Sequence, residues 1–260
     1  MNITGTSLAD NLTGTQGDDT IRGLPGNDNI LGLRGNDRIF GGFGNDRVHG
    51  GMGRDVIIAG PGNDTVNGGR DNDSLLGKEG NDRLFGGSGN DVLRGGDGND
   101  NLLGEQGNDR LFGEDGHDVV NGGSGNDDIY GGEGHDFLIG WTGHDEIHGN
   151  SGDDSLNGSA GNDTLTGGSG ADQFRFGSPS DGVDFISDFK FFEGDKIAVS
   201  QSGFVGVDPN QLDTQFTYNQ STGALSFNAS LTDGIPSVTF AQLQPNLGGG
   251  FIPGLDIEVI

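Results

Sequence analysis

The sequence predicts an all-β fold, a parallel β-solenoid of nonapeptide repeats with a C-terminal β capping segment, on three observations. Residues 5–175 fall into nine-residue frames without one insertion. Glycine supplies 55 of 260 residues, and 33 Asp stand against 7 Glu. From Gln173 onward the pattern changes to apolar and polar side chains alternating at period two, as in VDFISDF and ALSFNA, the spacing of half-buried strands. The change divides the chain into a repeat region, 1–175, and a tail, 176–260.

With GGFGNDRVH (41–49) as the template frame, the sixth position is Asp in all 19 frames and the eighth is apolar in all 19. The first position is Gly in 18 frames, with Ala59 the exception, and the fourth is Gly from Gly17 to Gly170 apart from Asp71. Glycine there permits positive φ and close backbone approach, so the first six positions read as a tight turn with exposed carbonyls. Asp71 fits because Asp tolerates the left-handed region. The last three positions read as a short extended stretch with one inward side chain. A helix is excluded, since nine residues make about two and a half helical turns and throw successive apolar residues to opposite faces.

One turn and one short strand bury nothing alone, whereas stacking does. Two nonapeptides then form one coil of 18 residues, and coils pair as parallel strands about 4.8 Å apart in a rod roughly 45 Å long. The apolar residues form two columns, one from Leu12 through Val48 and Leu84 to Phe174, the other from Ile21 through Ile57 and Leu93 to Leu165.

The same stacking sets sixth-position carboxylates above one another. These candidate metal ligands are Asp10, Asp19, Asp28, Asp37, Asp46, Asp55, Asp64, Asp73, Asp82, Asp91, Asp100, Asp109, Asp118, Asp127, Asp136, Asp145, Asp154, Asp163 and Asp172. Such a column repels itself in a partly desolvated loop, so folding requires a cation between stacked pairs. Asp oxygens and turn carbonyls suit Ca²⁺, while Mg²⁺ demands a tighter octahedron and Zn²⁺ prefers nitrogen or sulfur. The two columns offer up to about 17 interloop sites, and full occupancy would turn the charge of −27 into about +7.

With 13 Lys and Arg against 40 Asp and Glu, nucleic acid is repelled. Hydrophobic residues reach only 30%, thin for a core unless the acid is neutralised. The absence of Cys removes disulfides, thiolate zinc sites and Cys nucleophiles. No GxSxG occurs and no helix follows the GxG turns, so no catalytic residue is assigned. MNITGTSLAD has neither the basic nor the apolar region of a cleaved signal peptide, and no run of 18 apolar residues predicts a transmembrane helix.

GGFGNDRVH, GGSGNDVLR and GGDGNDNLL resemble the GGxGxDxUx nonapeptide of the RTX, or haemolysin-type calcium-binding, family. The resemblance implies a right-handed parallel β-roll with Ca²⁺ held between adjacent turns by sixth-position Asp and main-chain carbonyls. The segment from Gly170 to Ile197, with Asp172, Phe174, Asp184, Ile186, Asp188 and Asp195, resembles the stretch that follows the repeats in serralysin-type secreted proteins, where it caps the roll. Asp256-Ile257-Glu258-Val259-Ile260 resembles an uncleaved C-terminal signal for type I secretion. The implied protein is a noncatalytic, extracellular bacterial calcium-binding module, without a cleaved N-terminal signal peptide, that partners the type I secretion apparatus and folds outside the cell. Two alternatives are the C-terminal part of a larger secreted hydrolase or epimerase, and an adhesin or surface-layer segment. Ice binding is disfavoured because only Thr142 places Thr at the third position.

A few residues fall outside this scheme. His117 and His135 lie 18 residues apart and stack, but no third nitrogen completes a zinc or nickel site. His144-Asp145-Glu146-Ile147-His148 displaces the Glu of HExxH by one and sits on strand and turn. Trp141, the single Trp, is expected on a turn surface, with carbohydrate contact the lesser reading. Asp208-Pro209 resembles the labile bond of self-processing RTX proteins, although one Asp-Pro is ordinarily a turn.

Overall fold

Strand residues of the repeats pair with those 18 positions further on, as in Ile21↔Ile39, Leu84↔Leu102 and Ile147↔Leu165. The structure is a computed structural model that describes residues 1–205, 212–227, 238–243 and 257–260. Alternate nonapeptides belong to two different sheets, so two frames make one coil, as the period requires. Within the repeats every pairing is parallel, since each strand returns at the same phase one turn later.

The eighth-position side chains of both sheets meet in the middle. From Ile21 to Phe174 all of them are at most 3% exposed. At the open first turn Leu12 is only half-buried, because no turn covers it there. Asn2–Thr4 adds one strand before the first recognised frame and pairs with Thr20–Arg22, placing Ile3 against the core.

The strands are longer than the sequence predicts. Most run six residues, from the seventh position of one frame to the third of the next, as in Arg38–Phe43 and Arg83–Ser88. The turn shrinks to the fourth to sixth positions. A glycine pair would interrupt an ordinary strand, but here each turn repeats the same distortion, so the ladder misses the first position and resumes at the second: Phe85↔Leu103 is followed by Gly87↔Glu105. Asp71 has φ 73°, and non-glycine second positions also lie at positive φ, among them Leu33 and Trp141. The first-position glycine answers a different need, close approach. A Cβ on Gly41 would lie 2.5 Å from the Ala59 carbonyl oxygen and collide with the Asp46 carboxylate. Where Ala59 takes that position, its strand stops after three residues, Val56–Ile58.

The alternating segments QFRFG, VDFISDF, DKIAVS, QFTYN, ALSFNA, SVTF and LDIEVI each contain a strand. Asp184–Ile186 and Lys196–Val199 prolong the two sheets with the repeat's own pairing, Leu165↔Ile186 and Phe174↔Ile197. Ile257–Val259 adds a last parallel strand to the second sheet. The first sheet continues differently: Val238–Gln242 joins in parallel, then Ala224–Phe227 and Phe216–Tyr218 antiparallel. Phe176, Phe204, Phe216, Phe227 and Phe240 pack there with ring centroids 5.0–6.2 Å apart and at most 5% exposure.

Candidate metal centre

The turn that closes each frame delivers its sixth-position Asp inward, beside the first-position glycine. From Asp19 to Asp172 these side chains are at most 4% exposed, and Asp10 is half-buried. Each carboxylate divides its labour. Oδ1 accepts the main-chain N–H of the Asp one turn earlier: Asp28 N–H donates to Asp46 Oδ1 at 2.7 Å, and Asp154 N–H to Asp172 Oδ1 at 3.0 Å. Oδ2 is left over. In all 17 residues from Asp28 to Asp172 it is buried without a hydrogen-bond partner.

The first two Asp differ. Thr6 N–H and Oγ1 donate to Asp10 Oδ2 at 2.5 and 3.0 Å, and Thr15 N–H and Oγ1 to Asp19 Oδ2 at 2.6 and 2.9 Å. Threonine at the second position therefore satisfies the oxygen that stays bare elsewhere. The N-terminal ammonium also pairs with Asp19 Oδ1 at 2.6 Å and, as the leading cause, holds that carboxyl below its ordinary pKa.

An orphaned carboxylate oxygen in this number is costly. Burial pushes Asp46 up to about 6, Asp55 to about 7, and Asp73 and Asp82 to about 8, each opposed by the N–H bond from the turn before and reinforced by a neighbouring Asp. The donors in reach are all oxygen. Asp46 Oδ2 and the Ala59 carbonyl both border the space that a Cβ on Gly41 would fill, and the same pairing recurs at Gly68 with Asp73 and Gly86. Among the described residues no three His, Asp or Glu side chains converge. A cation here would take one or two carboxylates and complete its shell from main-chain carbonyls and water. An anionic all-oxygen set with irregular geometry fits Ca²⁺ and gives Zn²⁺ no nitrogen or sulfur. A groove of about 470 Å³ along one loop edge is lined by Asp64, Asp82 and Asp100.

Two parts of this arrangement lie outside the 19 residues read from the sequence. Asp184 and Asp195 extend the ladder, accepting from Asp163 N–H and Asp172 N–H at 3.1 Å each. They stand 21 and 23 residues beyond those partners, not 18, so inserts of three and five residues hide the phase. The signal that survives is Asp-x-Ile, with Ile186 and Ile197 fully buried. The second part is a fifth-position ladder of opposite direction: Asn45 N–H donates to Asn27 Oδ1 and Asn99 N–H to Asn81 Oδ1, at 2.9 and 2.8 Å. These Asn are thus more than turn formers.

His117 and His135 join that second ladder. Their rings stack at 5.1 Å, and their Nδ1 atoms accept N–H of His135 and Asp153 at 2.8 Å. Glu146–Ser151 is a strand, as expected from the sequence, and not the helix on which HExxH places two His on one face. Trp141 lies within the strand Phe137–Gly143, not on a turn, because the six-residue strands absorb the second position. Asp208-Pro209 and Asp256 lie outside the described residues.

Among the described residues no helix is long and apolar enough to cross a membrane. No curated protein matches the chain. A family profile described as RTX calcium-binding nonapeptide repeat (4 copies) matches at residues 4–39, 23–57, 40–75, 76–111, 103–138, 112–147 and 139–174, an almost continuous run through the solenoid.

Proposed function

The chain belongs to the RTX calcium-binding nonapeptide-repeat family, and from that premise we propose a noncatalytic, secreted bacterial module whose roll folds on binding several Ca²⁺ ions. The observation that carries this reading is the row of 17 bare, buried Oδ2 atoms from Asp28 to Asp172. These Asp, with the first-position carbonyls of the adjoining turn, are the proposed ligands. Bound Ca²⁺ supplies the positive charge that lets the carboxylates remain ionised inside the turns. Asp10 and Asp19, already served by Thr6 and Thr15, contribute least.

Without the ion, self-repulsion and the entropy of a glycine-rich chain outweigh a core one side chain thick. The chain therefore stays unfolded in calcium-poor cytosol and folds at the roughly 10⁻⁴–10⁻³ M calcium that suits extracellular modules. Folding on the outside opposes return through a type I secretion channel, so the module supports export and then persistence outside the cell. The C-terminal segment ending Ile257-Glu258-Val259-Ile260 is the proposed export signal.

A calcium titration followed by circular dichroism and calorimetry tests the proposal. The expected result is a disordered chain in chelator and a cooperative gain of β signal with many ions bound, up to about 17, with Mg²⁺ a poor substitute. A full β signal in chelator, or fewer than about five ions per chain, contradicts it.

A further inference from the structure

Trp141 stands in a conformation that disfavours it. It has φ 76°, in the left-handed region, and it is 53% exposed. Nine of the 19 second positions are Gly, and Trp141 is the one aromatic among the eight non-glycine second positions at positive φ. Strain of this kind in a solvent-facing aromatic calls for a use. Its strand neighbours are small, Gly123 on one side and Ser159 on the other. Among the described residues no aromatic ring or cation packs on the indole, whereas Phe112, Tyr130 and His148 on the other sheet stack on one another. The indole therefore borders a shallow cavity of about 390 Å³ with Leu103, Glu105, Asn121, Ser124 and Thr142.

The missing side chain at Gly123 keeps that cavity open beside the ring. A Cβ there would lie against the Glu105 carbonyl. Ser124 Oγ donates to that carbonyl at 3.3 Å, which leaves its lone pairs for an incoming donor. One flat aromatic wall faced by an amide, two hydroxyls and a carboxylate matches a pyranose, whose C–H face stacks on a ring while its hydroxyls take both donors and acceptors. Glu105 is the only charge lining the cavity and the chain as a whole carries −27, so an acidic glycan is repelled.

We propose that Trp141, Asn121, Glu105 and Ser124 form a binding site for a neutral pyranose glycan on the outer face of the second sheet. It rests on the fold and not on the calcium ligand assignment, and it exists only while the roll is folded.

Trp141 is the sole Trp, so its fluorescence reports this site alone. With calcium present, cellohexaose, chitohexaose and laminarihexaose are titrated, with polygalacturonate as the acidic comparison. At least one neutral oligosaccharide is expected to give a saturable change in emission, with polygalacturonate giving none. Trp141→Gly, measured by calorimetry, is expected to fold at the same or lower calcium, because Gly suits the positive φ, and yet bind at least about ten-fold more weakly. Trp141→Phe keeps a ring and should retain part of the affinity. The proposal is overturned if no neutral oligosaccharide gives a saturable change, if polygalacturonate binds more tightly, or if Trp141→Gly binds as the parent does.

Discussion

The roll and the tail share the same strand pairing at their junction but differ in what their interiors contain. After the first, each 18-residue turn of the roll buries two eighth-position side chains together with two carboxylates that each keep one bare oxygen, as at Leu84, Leu93, Asp82 and Asp91. Beyond Phe176 the interior is aromatic, and its polar groups find partners: Ser226 and Thr239 share a hydrogen bond of 2.8 Å, and Lys190 N–H donates to Asp195 Oδ2 at 2.6 Å. Parallel pairing by itself therefore does not settle stability. One region can stand on apolar burial, whereas the other awaits positive charge.

Removing calcium from the full chain should separate the two regions most sharply. By hydrogen exchange, amides across the repeats, such as those of Asp46–Asp154, should lose protection, while those of Phe216–Tyr218 and Ala224–Phe227 keep some. Equal loss in both regions would break the contrast.

Acidification comes next. In chelator, carboxyls raised from 3.8 to about 6 to 8, such as Asp46, Asp55 and Asp73, bind protons more tightly folded than unfolded. Their contribution is fully present below pH 3.8 and lost as pH rises through about 6 to 8. The β signal in chelator, low at pH 8, should therefore grow towards pH 5, while the calcium concentration needed to occupy the sites rises as protons compete for the carboxylates. A β signal in chelator that does not grow over that range would show that the carboxylates are not desolvated.

Phe216→Ala removes a fully buried ring that contacts Phe204, Phe227 and Phe240, and should cost about 3–5 kcal/mol in a denaturant melt with calcium present. Asp91→Ala deprives Asp73 N–H of its acceptor and should cost about 1–3 kcal/mol, with a higher calcium midpoint. Asp10→Ala, at the half-buried end where Thr6 already serves the carboxylate, should move that midpoint least. Equal midpoints for the two Asp variants would remove the distinction between bare and satisfied oxygens.

The period, the two apolar columns and the stacked Asp were legible because an uninterrupted nine-residue phase leaves no freedom in which side chains meet. Strand length was not, since glycine at the first two positions reads as a turn until a ladder of identical distortions is considered. Asp184 and Asp195 were hidden by inserts of three and five residues, although Asp-x-Ile persisted. The tail's strands were visible as alternation. Their order was not, because nothing local to Ala224–Phe227 says that its neighbours run antiparallel while Val238–Gln242 lies parallel to Asp184–Ile186. Trp141 needed the strand to reveal that an indole had taken a glycine's place.

Pairing at an offset of 18 also bears on how such a chain can change through time. Deleting or duplicating 18 residues inside the repeats leaves every remaining strand in its own sheet and every Asp above another Asp. A change of nine joins the first sheet on one side of the alteration to the second on the other, while the tail keeps its own pairing with Thr164–Ser169 and Gln173–Phe176. Each coil of 18 residues gained or lost lengthens or shortens the molecule by about 4.8 Å, like the ticks of a ruler.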